Sequence, residues 1–100
     1  MVHTKAQLLK ALAHPNRLRI INQLHEEQRC NCDLAELLHL EQSNLTRHLS
    51  VLIQAGIVET RKDGVKTFYR VEDDEIVKIL QLVEKIAVKK IERQLSMLNK

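Results

Sequence analysis

The hydrophobic period of this chain changes at Gly56, from that of a helix to that of a strand, and this change restricts the folds the chain can adopt. Before Gly56, apolar residues in "QSNLTRHLSVLIQAG" recur at the spacing typical of an amphipathic helix. After it, "IVETRKDGVKTFYRV" alternates apolar and polar residues on both sides of an Asp-Gly pair, which is a strong hairpin signal. The chain therefore combines helices with a short antiparallel hairpin.

Four helical segments precede the hairpin. The first covers residues 4–13, with Thr4 as its N-cap, and the second begins at Pro15, because proline suits the first helical position. The third begins at Asp33, where a D-x-x-E pattern predicts a capping box. The fourth covers residues 42–56 and ends at its glycine, where the chain can turn left-handed.

One long helix of about 25 residues follows the hairpin, so the predicted fold class is mainly α with a small β-hairpin, in the order ααααββα. At 1.5 Å per residue this helix is ~38 Å long, longer than a domain of this size is wide. Its apolar stripe needs a partner helix, and a second copy of the chain is the simplest source. The stripe consists of Ile76, Ile79, Leu80, Val83, Ile86, Ala87, Ile91, Leu95 and Leu98.

Length and composition narrow the class of protein. Residues 1–100 are expected to form a single domain. No run of apolar residues is long enough to span a membrane, and "MVHTKAQLL" does not resemble a signal peptide, so we expect a soluble cytoplasmic protein without a membrane partner. One Tyr, one Phe and no Trp argue against RNA recognition by base stacking.

The positive charge is concentrated in one segment. Residues 42–71 hold five basic and two acidic side chains, whereas basic and acidic residues balance elsewhere, so this segment carries the whole net charge of +3. Local positive charge is the electrostatic footprint of phosphate binding.

The third and fourth helices, joined by a tight turn and followed by a basic hairpin, predict a winged helix-turn-helix that binds DNA. In this arrangement the second helix enters the major groove and the wing contacts flanking phosphates. The polar face of the fourth helix carries hydrogen-bonding side chains that can reach base edges. We predict base contacts from Gln42, Asn44 and Thr46, base or phosphate contacts from Ser43 and Arg47, and phosphate contacts from Lys62 and Lys66. His48 is expected to pack beside the core.

At these motifs the chain resembles the ArsR/SmtB family of small dimeric winged-helix repressors. "LLKALAHPNRLRIINQL" is similar to the opening segment of the family, "CDLAELLHLEQSNLTRHLSVLIQAGIV" to its helix-turn-helix, and "RKDGVKTFYRV" to its wing. The resemblance implies a homodimer through the first and last helices, a roughly two-fold-symmetric DNA operator, and release of DNA when an effector binds.

The helix-turn-helix departs from the family pattern at two positions. His39 stands where a glycine is usual; a positive φ there would strain it mildly, and histidine is one of the residues that tolerate it. Glu41 stands where a capping serine is frequent, so Ser43 is expected to take over part of the cap.

The two cysteines, Cys30 and Cys32, precede the third helix. In an extended segment both side chains would point to the same side, so both sulfurs could hold one ion. Within the family, "CNCD" resembles the start of the third helix in sensors of thiophilic metals and metalloids, which makes Asp33 a further candidate ligand. Glu36 stands where arsenite sensors have a third cysteine, and no histidine follows His48, so the second metal site of the family is absent.

Several functions remain open at this point. The leading prediction is a dimeric, sequence-specific DNA-binding repressor that folds without a cofactor and is released by As(III), Cd(II), Zn(II) or Cu(I). The alternatives are a winged-helix repressor controlled by thiol oxidation or persulfide formation, one without an effector in which the cysteines are structural, and a protein-interaction module that does not bind DNA. We expect no enzymatic activity, because the sequence has no glycine-rich phosphate loop and no catalytic arrangement.

Overall fold

The computed structural model describes residues 1–99, which form five helices and three strands. Helices and strands follow the predicted order, with one additional short strand before the third helix. In chain order they are α1 (Val2–Leu12), α2 (Pro15–Glu26), β1 (Arg29–Cys30), α3 (Asn31–Leu38), α4 (Gln42–Gln54), β2 (Val58–Asp63), β3 (Lys66–Val71) and α5 (Asp74–Leu98).

Two helices start earlier than the sequence predicted. Pro15 opens α2 as expected, but α1 begins before Thr4, which is an interior residue and not the N-cap. α3 begins at Asn31, because Cys30 occupies the N-cap position and its Sγ accepts a hydrogen bond from the Asp33 backbone N–H at 3.4 Å. The capping box predicted at Asp33 is therefore wrong, and a thiol caps the helix instead.

The three strands form one antiparallel sheet in the order β1-β3-β2. The additional strand β1 joins the hairpin through β3, where Cys30 lies opposite Phe68. The hairpin turn lies one residue later than the Asp-Gly signal suggested, because Asp63 still pairs with Lys66. Gly64 therefore occupies the first turn position, where its φ of 64° suits the twist of a two-residue hairpin loop.

α3 and α4 end in the same way. Each is followed by a residue in the left-handed region, His39 with φ 55° after α3 and Gly56 with φ 73° after α4. The amide of the next residue then donates to the carbonyl five positions earlier, at 3.0 Å after α3 and 2.9 Å after α4. This is the Schellman arrangement, which satisfies carbonyls that the helix itself leaves free. Both predicted helix ends are confirmed.

The core lies between α2, α3, α4 and the start of β2. Each helix buries one apolar side, and these sides pack together as the core. From α1, Leu12 belongs to the core and Leu8 packs against it. The largest fully buried side chains are Ile20, Ile21, Leu34, Leu45, Leu49, Leu52, Ile57 and Val58.

α5 has the predicted length of 25 residues and extends away from this core. Only Ile76 and Val77 are buried, and Leu80 packs partly against the core. From residue 81 to residue 99 every side chain is exposed, including the apolar stripe. No helix within residues 1–99 combines the length and hydrophobicity that crossing a lipid bilayer requires.

Candidate nucleic-acid interface and thiol cluster

The turn between α3 and α4 leaves the N-terminus of α4 open. His39 reverses the chain after α3, and Glu41 then occupies the N-cap position of α4 without a capping hydrogen bond from its side chain. The first amides of a helix have no partner within the helix and favour negatively charged groups. The free amides at this end of α4 can therefore donate hydrogen bonds to a phosphate oxygen.

The two sides of α4 differ sharply in burial. Leu45, Leu49 and Leu52 lie in the core, whereas the opposite side faces solvent. Five of the seven predicted DNA contacts belong to α4, and the structure exposes four of them on this outer side. Asn44 is the exception, because it is half-buried and turned toward the start of α2. The four exposed residues are Gln42, Ser43, Thr46 and Arg47.

The wing has two kinds of cation. Arg61 lies 3.8 Å from an Asp63 oxygen, with its Cζ 5.2 Å from the Phe68 ring centroid, and Arg70 pairs with Glu59. By contrast, the exposed Lys62 and Lys66 lie beyond ion-pairing distance of every carboxylate in residues 1–99. The two lysines that the sequence analysis assigned to phosphate contacts are therefore the wing cations left without an internal partner.

The structure brings both thiols and one carboxylate together at the start of α3. The sulfurs of Cys30 and Cys32 and a carboxylate oxygen of Asp33 all lie within 4.8 Å of one another. The extended segment expected for both cysteines is present only at Cys30, whose ψ is 163°, because Cys32 already belongs to the first turn of α3. Both thiols are free, and Cys30 is buried whereas Cys32 is exposed.

The environment of Cys30 favours its neutral form. Its hydrogen bond with the Cys32 side chain, followed by burial, raises the pKa of the Cys30 thiol above its ordinary value. Two sulfurs and one carboxylate oxygen form a donor set that fits a soft, thiophilic ion. Within residues 1–99, no other group of three or more His, Cys, Asp or Glu side chains is close enough to share one ion.

Comparison with known proteins identifies the family. A family model described as "Bacterial regulatory protein, arsR family" matches residues 14–60. The HTH-type transcriptional regulator MJ1325 of Methanocaldococcus jannaschii is 37% identical over 82 residues, which cover 81% of this chain and 92% of that protein. The chain belongs to the arsR family of regulatory proteins. It is therefore a DNA-binding transcriptional regulator with a winged helix-turn-helix fold, and members of this kind are not enzymes.

Two further relatives and one solved structure refine the comparison. The HTH-type transcriptional repressor SmtB of Mycobacterium tuberculosis is 39% identical over 74 residues, 74% of this chain and 55% of SmtB. The cadmium resistance transcriptional regulatory protein CadC of Lactococcus lactis is 36% identical over 76 residues, 75% of this chain and 61% of CadC. The chain thus spans a little over half the length of each.

The solved structure is the homodimeric winged helix-turn-helix DNA-binding domain Mb0332 of Mycobacterium bovis. It is 26% identical and superposes with a TM-score of 0.83, covering 92% of this chain and 85% of that domain.

One feature of this arsR-family chain was not predicted from its sequence. The start of α2 lies against α4, and the ring centroids of His14 and His48 are 4.4 Å apart. His48 is buried beside the core, as expected, and lies 3.4 Å from Nη1 of Arg17. Burial, followed by electrostatic interactions with His14, Arg17 and Arg47, lowers the pKa of His48. No local pattern reveals this cluster, since its members are about 30 positions apart.

Proposed function

We propose that this chain is a homodimeric, sequence-specific transcriptional repressor acting in the cytoplasm, with α4 in the major groove of its operator. The exposed polar side of α4 carries this proposal, and the wing lysines, which have no internal partners within residues 1–99, add positive charge to the same helix-turn-helix unit. Gln42, Asn44 and Thr46 offer donors and acceptors for base edges, and Arg47 suits guanine or phosphate. Ser43 suits a base edge or a phosphate, whereas Lys62 and Lys66 supply phosphate contacts, which position the protein without reading sequence.

The homodimer is supported by the apolar surface of α5. Ile86, Ile91 and Leu95 are each more than half exposed, and Leu9 of α1 is 55% exposed. Exposing an apolar stripe of this length to water is unfavourable. In a two-fold dimer, the same stripe of a second copy can cover it. The homodimeric state of Mb0332 agrees with this arrangement. Two copies related by a two-fold axis require an operator with half-sites about 34 Å apart.

The effector site is proposed at Cys30, Cys32 and Asp33. Cys30 belongs to the strand paired with the wing, whereas Cys32 and Asp33 belong to the first helix of the helix-turn-helix. These residues would hold a thiophilic ion across the junction of two DNA-binding elements. The similarity to CadC, a cadmium resistance regulatory protein, supports this class of ion. The candidate ions are Cd(II), Zn(II), Cu(I) and As(III). Ion binding at this junction would change the orientation of α4 relative to the wing, and with it their simultaneous contact with DNA.

Anisotropy of a labelled duplex from the upstream region of the gene, bound by the reduced protein, tests both parts. DNA binding should weaken about 5- to 150-fold in the presence of one of the four ions, which is the usual range of allosteric coupling. The Cys30→Ser/Cys32→Ser double variant should bind DNA equally well without ions and should not respond to them.

Three other outcomes of this anisotropy experiment would contradict the proposal or favour one of the alternative functions. A response that persists in the double variant would contradict the proposed ion site. No response to any ion, but release of DNA by an oxidant or a persulfide donor, would favour thiol redox control. Absence of DNA binding at any salt concentration would contradict the whole proposal and favour a protein-interaction module.

A further inference from the structure

A cavity of about 290 Å³ lies between the first turn of α2 and the outer edge of α4. Its lining is unusual because no residue in it is acidic, whereas two are arginines and two are histidines. It opens beside the polar side of α4, with which it shares Asn44 and Arg47. The lining residues are His14, Asn16, Arg17, Asn44, Arg47, His48 and Val51.

The two imidazoles of the cavity both present donors. Nδ1 of His14 accepts a hydrogen bond from the Asn16 backbone N–H at 3.1 Å, and Nδ1 of His48 lies 3.4 Å from Nη1 of Arg17, which can only donate. A neutral imidazole that accepts at Nδ1 carries its hydrogen on Nε2. Each ring therefore retains one N–H that is not used by these contacts.

Arg17 has donor capacity that the protein does not use. Its Nε is buried without a hydrogen-bond partner, and its Nη2 donates to the Lys10 carbonyl at a distance of 3.4 Å, which is long. Both contacts of its Nη groups are 3.4 Å long, so these groups retain donor capacity for a group that arrives from outside. The planar fork of a guanidinium matches the oxygens of a phosphate.

We propose that this cavity seats a backbone phosphate of bound DNA and so extends the interface from α4 onto α2. The inference rests on the proposed reading of DNA by α4, because Asn44 and Arg47 would face the duplex from one rim of the cavity. Arg17 supplies the charge and fork, and the imidazole N–H groups supply further donors. Free phosphate has the same chemistry, and a separate arm of the test distinguishes it.

The test compares Arg17→Gln with Arg19→Gln on the same helix. Both variants remove one positive charge, but Arg19 itself lies outside the cavity lining, where it donates to the Leu38 carbonyl at 2.8 Å and to Asn16 Oδ1 at 3.0 Å. For each Arg17 that contacts a phosphate, the salt dependence of binding should become shallower by about 0.9 and the affinity near 0.1 M salt should fall about tenfold. Arg19→Gln should keep the wild-type slope. The loss should be equal on operator and unrelated duplexes, because phosphate contacts do not read sequence.

A second arm needs no variant and therefore does not depend on its folding. In wild-type protein, a DNA duplex should shift the imidazole resonances of His14 and His48, whereas inorganic phosphate at the same phosphate concentration should shift them far less. Larger shifts with inorganic phosphate, together with an unchanged salt slope for Arg17→Gln, would assign the cavity to a free anion and overturn the proposal. Equal slopes for wild type and both variants would also overturn it. If wild type does not bind DNA at all, the proposed function itself fails. If wild type binds DNA but the Arg17→Gln slope is unchanged, only the proposal for the cavity fails.

Discussion

Two regions of this molecule treat their apolar side chains in opposite ways. Between α2 and the start of β2, leucines and isoleucines are enclosed, as shown by Leu52 and Ile57 with no exposed surface. Along the outer part of α5, Ile86 is 57% exposed and Leu95 55% exposed, although the sequence pattern is equally amphipathic. The first region is stabilised within one chain, whereas the second has nothing within residues 1–99 to bury against.

This difference predicts two separable kinds of stability. The core contributes a free energy of unfolding that does not depend on protein concentration. The apolar stripe of α5 contributes to the free energy of unfolding only when two chains associate, so its contribution should grow with protein concentration. Substitutions in the two regions can therefore be distinguished by repeating one measurement at two concentrations.

The largest effect is expected from a charge on the apolar stripe of α5. Ile86→Asp would place an unpaired carboxylate at the proposed dimer interface in each subunit, and burying one unpaired charge costs about 3–5 kcal/mol. Sedimentation velocity should therefore detect monomers at concentrations where wild type is a dimer, while far-UV circular dichroism stays helical. Lys85→Asp, which introduces the same group at the adjacent position, should leave the dimer largely intact. A dimeric Ile86→Asp protein would show that α5 is not the interface.

Next in size is the loss of a core side chain. Leu52→Ala removes a fully buried side chain from α4 and should lower the free energy of unfolding by about 2–5 kcal/mol. Urea unfolding should give the same loss at high and low protein concentration. Leu95→Ala is the matched change on α5, and its loss should disappear under conditions where the protein is monomeric. If both variants depend equally on concentration, the separation into two regions is wrong.

The sequence was most informative where a pattern is local and long. The length of α5, about 25 residues, and the left-handed turn at Gly56 were both predicted correctly. Each depends on neighbouring residues, or on a turn whose geometry admits few residue types. The exposed cations of the wing followed from the same local reasoning.

What the sequence could not predict depends on contacts between distant residues. β1 has two residues and no period, and it exists only because Cys30 pairs with β3. That pairing fixes Cys30 in an extended conformation at the helix start, where its sulfur replaces the capping role predicted for Asp33. The cavity at Arg17 likewise forms only when α2 meets α4, and no spacing within either segment indicates it.

The smallest expected effect concerns the two similar helix ends, which belong to the core region. An L-residue in the left-handed conformation is disfavoured by about 1–2 kcal/mol, whereas glycine in the unfolded chain has about 0.4–1 kcal/mol more conformational entropy to lose. His39→Gly should therefore raise the free energy of unfolding by roughly 0.5 kcal/mol. The increase should be equal at both protein concentrations in urea unfolding.

Gly56→Ala is the reverse change at the same backbone geometry. The nearest atom to an added Cβ would be Glu72 Oε2 at 3.8 Å, so no clash contributes and the effect reports backbone conformation alone. A loss of about 1 kcal/mol is expected. If Gly56→Ala destabilises the protein but His39→Gly does too, the imidazole of His39 must make a stabilising contact that offsets its backbone conformation. The departure of this chain from glycine at position 39 would then be favourable for stability.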